Sequence, residues 1–229
     1  SSKHGIESSA VAYRNLMFAS DNDGNLICWD ANTLTVLWAR DIGDDSDATM
    51  VLEETPEGVF LYHGNTLDKR GEAGDKHTNL RKINALTGEI VWQYDVATSY
   101  DKAINGGLLA TPLLGQGEIS DLVIFNVSKT TGAKAGTMVA LDKLTGKMVW
   151  ERSMGRYSWS SPVAITSTDG HQYAIMCDSG GTMHLFDPNT GEDLSTVSLG
   201  KNTEASPAVY GNMIVVASYD KKIWGIKIS

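Results

Sequence analysis

Acids are the residues best equipped for chemistry in this chain. Asp41, Asp44, Asp45 and Asp47 crowd one short stretch, and oxygen ligands gathered that closely could hold a hard cation, with a solvated loop as the favoured alternative. The run Asp21-Asn22-Asp23-Gly24-Asn25 begins like a calcium loop. Leu26 stands at its sixth position and Asn32 at its twelfth, however, where an EF-hand needs Gly and Glu, so it reads as a turn. The five histidines, His4, His63, His77, His171 and His184, show neither zinc-protease spacing nor pairing, and read as surface or strand residues with no metal role. Cys28 and Cys177 lie far apart without metal-ligand spacing and read as small apolar strand residues. No Gly-x-Ser-x-Gly elbow and no phosphate loop occurs, so no catalytic residue for hydrolase or nucleotide chemistry is assigned. Asn126-Val127-Ser128 fits the glycosylation sequon, a triplet common by chance.

Composition narrows the partners. The 229 residues carry 19 Lys and Arg against 28 Asp and Glu, a net charge of −9, which is the wrong sign for binding nucleic acid or anionic lipid. The longest apolar runs, such as Met213 to Ala217, fall far short of the roughly 20 residues of a membrane-spanning helix. No nucleic acid and no membrane span are expected. The chain is 41% apolar and 21% charged, near the globular average, but its 23 Gly against 5 Pro point to many tight turns between short strands.

A repeated phrase shows what positions these residues. Its clearest copy runs Gly136 to Trp150 and contains Ala140-Leu141-Asp142, Thr145-Gly146 and Trp150. A second copy runs Asn79 to Trp92 and an earlier one Gly24 to Trp38, so the terminal tryptophans stand 54 and 58 residues apart. A degenerate copy from Gly181 has Ser195 in place of Trp, 45 residues after Trp150. Upstream of each phrase, and once more near the end, stands a Ser or Thr ahead of an apolar run: Ser9, Thr49, Thr111, Ser161 and Ser206. A repeat of this length indicates a solenoid, a propeller or an array. The unit divides into four β-type runs, in the fourth copy Pro162 to Ile165, Tyr173 to Cys177, Thr182 to Phe186 and Asp193 to Val197, separated by turn residues. The fifth unit supplies Ala208 to Tyr210, Met213 to Ser218 and Ile223 to Ile228, and no fourth run. The expected fold is all-β: a β-propeller of four-stranded antiparallel blades, four complete and a fifth with three strands, over units of about 8–43, 48–97, 110–155, 160–200 and 205–229.

The pattern Ala-Leu-Asp, two residues, Thr-Gly, three residues and Trp, preceded by a Ser-Pro strand, resembles the tryptophan-docking repeat of the PQQ-like (quinoprotein dehydrogenase-like) propellers. The resemblance covers nearly the whole chain, and it implies that Trp38, Trp92 and Trp150 wedge between blades as structural residues. Propellers of that family usually have more blades, so the chain is expected to be the C-terminal segment of a larger ring. A five-bladed ring closed by Ser1 to Glu7 is the alternative.

Up-and-down blades place the crossing between blades on the same face as the turn between the second and third strands. On that face Glu7, Asp47, Leu109, Trp159 and Glu204 occupy one equivalent position, two residues before each Ser or Thr. The two longest insertions, His63 to Thr78 and Val127 to Ala135, fall on the same face, as binding loops commonly do. Glu7, Asp47, Trp159 and Glu204 are therefore the candidate partner-binding residues. The expected function is a non-catalytic scaffold holding a protein, peptide or glycan partner, with no cofactor. The alternative is a segment of a quinone-dependent dehydrogenase with PQQ and calcium on the propeller axis, although the adjacent cysteine pair of those enzymes is missing here. The resemblance further implies a bacterial protein located outside the cytoplasm, whether secreted, periplasmic or on the cell surface.

Overall fold

The computed structural model describes residues 5–102 and 105–228, so Ser1 to His4 of the alternative ring closure lie outside the described residues. Blade 1 consists of β1 (Val11–Tyr13), β2 (Leu16–Ser20), β3 (Asn25–Asp30) and β4 (Val36–Asp41). Blade 2 consists of β5 (Val51–Thr55), β6 (Gly58–Gly64), β8 (His77–Asn84) and β9 (Ile90–Ala97), interrupted by β7 (Thr66–Leu67) and the short helix α1 (Lys69–Glu72). After β10 (Gly106–Leu108), blade 3 is formed by β11 (Leu113–Leu114), β12 (Leu122–Ser128), β13 (Gly136–Asp142) and β14 (Met148–Met154). Blade 4 has β15 (Val163–Thr166), β16 (Gln172–Cys177), β17 (Thr182–Phe186) and β18 (Asp193–Ser198), and blade 5 has β19 (Ala208–Tyr210), β20 (Met213–Ser218) and β21 (Lys222–Lys227). Every sheet is antiparallel, and the strands of blades 4 and 5 match the sequence-predicted runs to within a residue or so at each end.

The turn between the third and fourth strands recurs for a local reason. An Asp or Asn at the end of the third strand accepts backbone amides two or three residues on: Asp30 from Asn32 (2.8 Å), Asn84 from Leu86 (2.9 Å), Asp142 from Thr145 (2.7 Å) and Asp187 from Asn189 (2.8 Å). The chain then reverses through a left-handed residue, which is Gly88, Gly146 or Gly191 in blades 2 to 4 and Leu34 in blade 1.

These turns receive the tryptophans. Trp38 Nε1 donates to the Ala85 carbonyl of blade 2 (3.1 Å), Trp92 Nε1 to the Lys143 carbonyl of blade 3 (3.0 Å), and Trp150 Nε1 to the Pro188 carbonyl of blade 4 (3.0 Å). Each indole lies against the glycine of its turn so closely that a Cβ on Gly88, Gly146 or Gly191 would stand 2.6–2.7 Å from the ring. Arg40 and Arg152, two residues after their tryptophans, add bonds to the carbonyls of Gly88 and Gly191, each at 2.7 Å.

Apolar layers fill the gaps between blades: Phe18, Leu26 and Cys28 against Leu61 and Ile83, then Tyr62, Leu80 and Trp92 against Phe125 and Val139, then Ile124 and Met138 against Met176 and Phe186, and finally Ile175 and Cys177 against Ile214 and Val216. Among the described residues no such layer joins blade 5 to blade 1, so the blades form an open arc. Near the axis the repeated Ser or Thr stitches neighbours together: the amides of Ser9, Thr111 and Ser161 donate to the hydroxyls of Thr49, Ser161 and Ser206, each at 3.0 Å.

Candidate functional site

The crossing loops and the blade 2 insertion build a cavity of about 670 Å³ on the expected face, between blades 1 and 2 and the crossing into blade 3. Glu7, Asp23, Asp45, Asp68 and Glu72 line it, together with Lys69, Lys102, Asn22, Asn105 and Tyr100. Its walls are held from below by residues of the acid stretch 41–47, which is solvated as expected only at Asp41: Asp44 is fully buried, Asp45 is 4% exposed and Asp47 is half-buried. The correction has a simple cause. The Asp44 carboxylate accepts the backbone amides of Asp68, Lys69 and Arg70 at 2.9–3.1 Å, satisfying the free donors that open α1. Gly24 makes room for this, because a Cβ there would stand 2.9 Å from the Asp44 amide. Asp21, one turn earlier, accepts the amides of Asp23 and Asn25, as a turn requires.

A second buried network fixes the insertion. Asn65 Nδ2 donates to the Asp44 carbonyl (2.7 Å), its Oδ1 accepts from Arg81, and Arg81 also donates to the Ile42 carbonyl (3.0 Å) and to Gln93 (2.9 Å). Beside it His63 Nε2 pairs with Ser46 Oγ at 2.9 Å, and burial together with the Arg81 charge holds this imidazole down to about 3, so it is neutral.

Two carboxylates are perturbed upward here, Asp45 in the cavity wall and Asp47 bonded to Glu7. Burial, with Glu7, Asp68 and Asp44 adding to it, raises Asp45 to about 6. Burial, then the charges of Asp45 and Glu7, raise Asp47 to about 7, while it shares a hydrogen bond with Glu7 and accepts one from Asn105. Like charges this close share protons, so the group favours a ligand that brings donors or positive charge. Asp47 Oδ1 is buried without a protein partner.

The structure brings Glu7 and Asp47 together and places Trp159 and Glu204 in a second cluster. Trp159 packs against Tyr157 with ring centroids 5.6 Å apart and the ring planes tilted by 35°, and its Nε1 is buried without a partner. Glu204 accepts from Asn202 Nδ2 (2.7 Å) and from the Tyr219 hydroxyl. Leu109, at the same repeat position, is half-buried. Asp68, Tyr100 and Asn105 were not found by sequence reasoning. They reach the cavity from an insertion and a crossing that have no counterpart in the other blades. The insertions are also shorter than expected: His63, Gly64, His77 and Thr78 belong to strands, as do Val127 and Ser128.

Three other features stay outside the site. Cys28 and Cys177 are free and fully buried, and burial raises them to about 11 and about 12. Asn126 of the sequon is 3% exposed within β12. Among the described residues no group of three or more His, Cys, Asp or Glu is placed to hold a metal ion. No helix among them is long and apolar enough to cross a membrane.

The family model described as outer membrane protein assembly factor BamB matches residues 2–154 and, in a second register, 76–229. No curated protein sequence matches the chain. Among solved structures the chain is similar to a quinohemoprotein alcohol dehydrogenase from Pseudomonas putida HK5, with TM-score 0.61 and 15% identity over 85% of this chain and 34% of that one. It is similar to the quinohemoprotein alcohol dehydrogenase from Comamonas testosteroni, with TM-score 0.58 and 16% identity over 96% of this chain and 38% of that one. The C-terminal WD40 domain of Sif2 gives TM-score 0.64 and 10% identity over 96% of this chain and 54% of that one. At such identities the likeness is one of fold, and the chain spans 34% to 54% of the length of these structures.

Proposed function

This chain belongs to the family of the outer membrane protein assembly factor BamB, and from that premise we propose that it is a non-catalytic propeller scaffold that binds a protein partner outside the cytoplasm through its loop face. One observation carries the reading. At the same repeat position of two crossing loops, Asp47 Oδ1 and Trp159 Nε1 are buried at the inner rim with no protein partner, the first beside an acidic cavity large enough for several side chains. Unpaired buried polar atoms cost free energy, and a ligand that pairs them recovers it. The carboxylates Glu7 and Asp45 of the cavity wall, with Asp47 bonded to Glu7, suit a segment carrying Lys, Arg or exposed backbone amides, and the tilted Tyr157–Trp159 pair of the second cluster offers aromatic surface on the same loop face.

A titration tests this. Hexalysine peptide is added to the purified chain and to Asp47→Asn and Trp159→Phe variants while tryptophan fluorescence and melting temperature are followed. The expected result is a saturable response at low salt, weakened by Asp47→Asn, with its fluorescence change reduced in Trp159→Phe. Equal responses in all three proteins would remove this face as the site. PQQ with calcium, titrated in parallel, distinguishes the alternative: a saturable quench with a raised melting temperature would favour the dehydrogenase segment over the scaffold.

A further inference from the structure

At the junction of blades 2 and 3, three charged residues stand where the repeat elsewhere puts uncharged ones. Lys82 on β8 pairs in register with the docking tryptophan Trp92, and the same place holds Cys28 in blade 1, Ala140 in blade 3 and Leu185 in blade 4. Lys143 follows the turn-forming Asp142, where Ala31, Ala85 and Pro188 are its counterparts. Glu53, four residues after Thr49, corresponds to Tyr13, Gly115, Ile165 and Tyr210. The other blades are built without these charges, so the fold alone does not account for them.

The three residues meet. Both lysines are 6% exposed. Lys143 Nζ donates to Glu53 Oε1 (2.7 Å) and to the Gly115 carbonyl (2.8 Å), while Glu53 Oε2 accepts from the Tyr62 hydroxyl (2.7 Å). Lys82 Nζ donates to the Lys143 carbonyl (3.0 Å) and stands 4.0 Å from the centre of the Phe60 ring. All three line a cavity of about 390 Å³ among the turns opposite the loop face, large enough for a small organic molecule. Phe60, Val91 and Leu144 give it an apolar wall, and Glu57, Ser120 and Asp121 lie at its exposed rim.

We propose that Lys82 is a nucleophilic amine that captures a small aldehyde or ketone in this cavity as a reversible imine. A lysine becomes a nucleophile where burial and a neighbouring cation favour its free-base form. Both conditions are met. Burial lowers the Lys82 pKa, Glu53 opposes this, Lys143 adds to it, and the balance stays below the ordinary lysine value. The Phe60 ring attracts the ammonium, and a bound carbonyl compound offsets that attraction by drawing the free amine into a covalent bond. The ammonium first gives a proton to solvent. The amine lone pair then forms a C–N bond to the carbonyl carbon as the C=O π pair moves to oxygen, and proton transfer from nitrogen to oxygen gives a carbinolamine. Loss of its hydroxyl together with the remaining N–H proton releases water and leaves C=N. Nothing is oxidised or reduced, hydrolysis reverses the sequence, and the carboxylates of Glu57 and Asp121 in the same cavity are available to carry the protons. The site is stoichiometric and independent of the partner proposed for the loop face.

Reductive trapping tests the assignment. The purified chain and its Glu53→Gln variant, each established as folded by circular dichroism, are incubated with benzaldehyde and sodium cyanoborohydride across a pH series, and adducts are assigned by peptide mass spectrometry. Lys102, whose side chain is 87% exposed, serves as the reference amine. At neutral pH the adduct at Lys82 is expected to exceed that at Lys102 several-fold, with its labelling profile displaced to lower pH. Glu53→Gln removes a charge that favours the ammonium and should raise labelling of Lys82 several-fold while leaving Lys102 unchanged, a response that a merely structural lysine would not show. A folded wild-type chain labelled at Lys82 no more than at Lys102 would overturn the proposal and leave the amine as an ionic tie between blades 2 and 3. Labelling of Lys82 that Glu53→Gln leaves unchanged or lowers would overturn it too, because the reactivity would then owe nothing to the charges around the amine.

Discussion

The junction between blades 3 and 4 and the junction between blades 4 and 5 are built from the same repeat and differ in what crosses them. In the first, Trp150 reaches the Pro188 carbonyl and lies on Gly191, while Arg152 reaches the Gly191 carbonyl and Asp193. In the second, Ser195 replaces the tryptophan, Lys227 replaces the turn-forming Asp, and the layer of Ile175, Cys177, Ile214 and Val216 is joined by Trp224 of blade 5 itself, with no indole sent forward from the outer strand of blade 4. The lesson is that tryptophan, glycine and Asx residue go together. The glycine is needed only where an indole presses on it, and the indole has a seat only where an Asx turn presents carbonyls.

The sharpest way to break this comparison is to place the blade 1 residue in a blade 4 turn. Gly191→Leu forces a Cβ to within 2.6 Å of the Trp150 ring at φ 77°. The combined cost of left-handed backbone and overpacking is about 2–5 kcal/mol, read from denaturant unfolding. Trp150→Ala empties the same seat and is expected to cost about 3–5 kcal/mol. An unchanged melting temperature in either variant would show that the indole does not hold the blades together.

A smaller effect separates the junctions by pH. His184 is bonded to Asp193 (2.9 Å) and Asp178 (3.3 Å), and Asp193 is in turn held by Arg152 of the preceding blade. Burial lowers the His184 pKa, but the two carboxylates more than offset it and leave it raised above 6.5. A group raised on folding stabilises fully below its unfolded pKa, and that stability is lost as pH rises through the folded value. Melting temperature is therefore expected to fall above pH 6.5, and His184→Gln should flatten that limb.

Asp47, raised to about 7, acts with the same sign over a lower window. Its contribution is present below about 4, the ordinary range of a carboxyl, and is lost as pH rises toward 7, so Asp47→Asn should flatten the profile there. A profile altered at the same pH by both substitutions would show that the site and the junction are not independent.

The smallest effect is expected at the turn that receives no indole. Leu34→Gly removes a left-handed leucine but adds freedom to the unfolded chain, and the two nearly cancel to within about 1 kcal/mol. A large change there would mean that Leu34 packs as tightly as the glycines do.

The blades were legible because the repeat writes each strand and turn several times, and Asp142, Gly146 and Trp150 mark the same three places that Asn84, Gly88 and Trp92 do. Glu7 and Asp47 were legible as occupants of one repeat position on one face for the same reason. What the repeat does not contain stayed hidden. Asp44 looked like a solvated acid because its partners, the amides of residues 68 to 70, belong to an insertion without a second copy. Asn65 and Arg81 bond across folded strands and carry no pattern in the sequence. Trp159 and Glu204 share a position with Asp47 yet form their own cluster, because periodicity assigns a face and leaves distances open.

One further consequence lies in the small strand β7. It pairs with β10, and β10 pairs with β12, so part of the blade 2 insertion is woven into the blade 3 sheet by main-chain hydrogen bonds. The other neighbours in the arc meet through side chains and single loop contacts. A repeat array of this kind loses its order from the weakest boundary inward. Amide hydrogen exchange should therefore reveal the second and third blades as one cooperative block, the last to release its protons, with the outer blades opening earlier on either side.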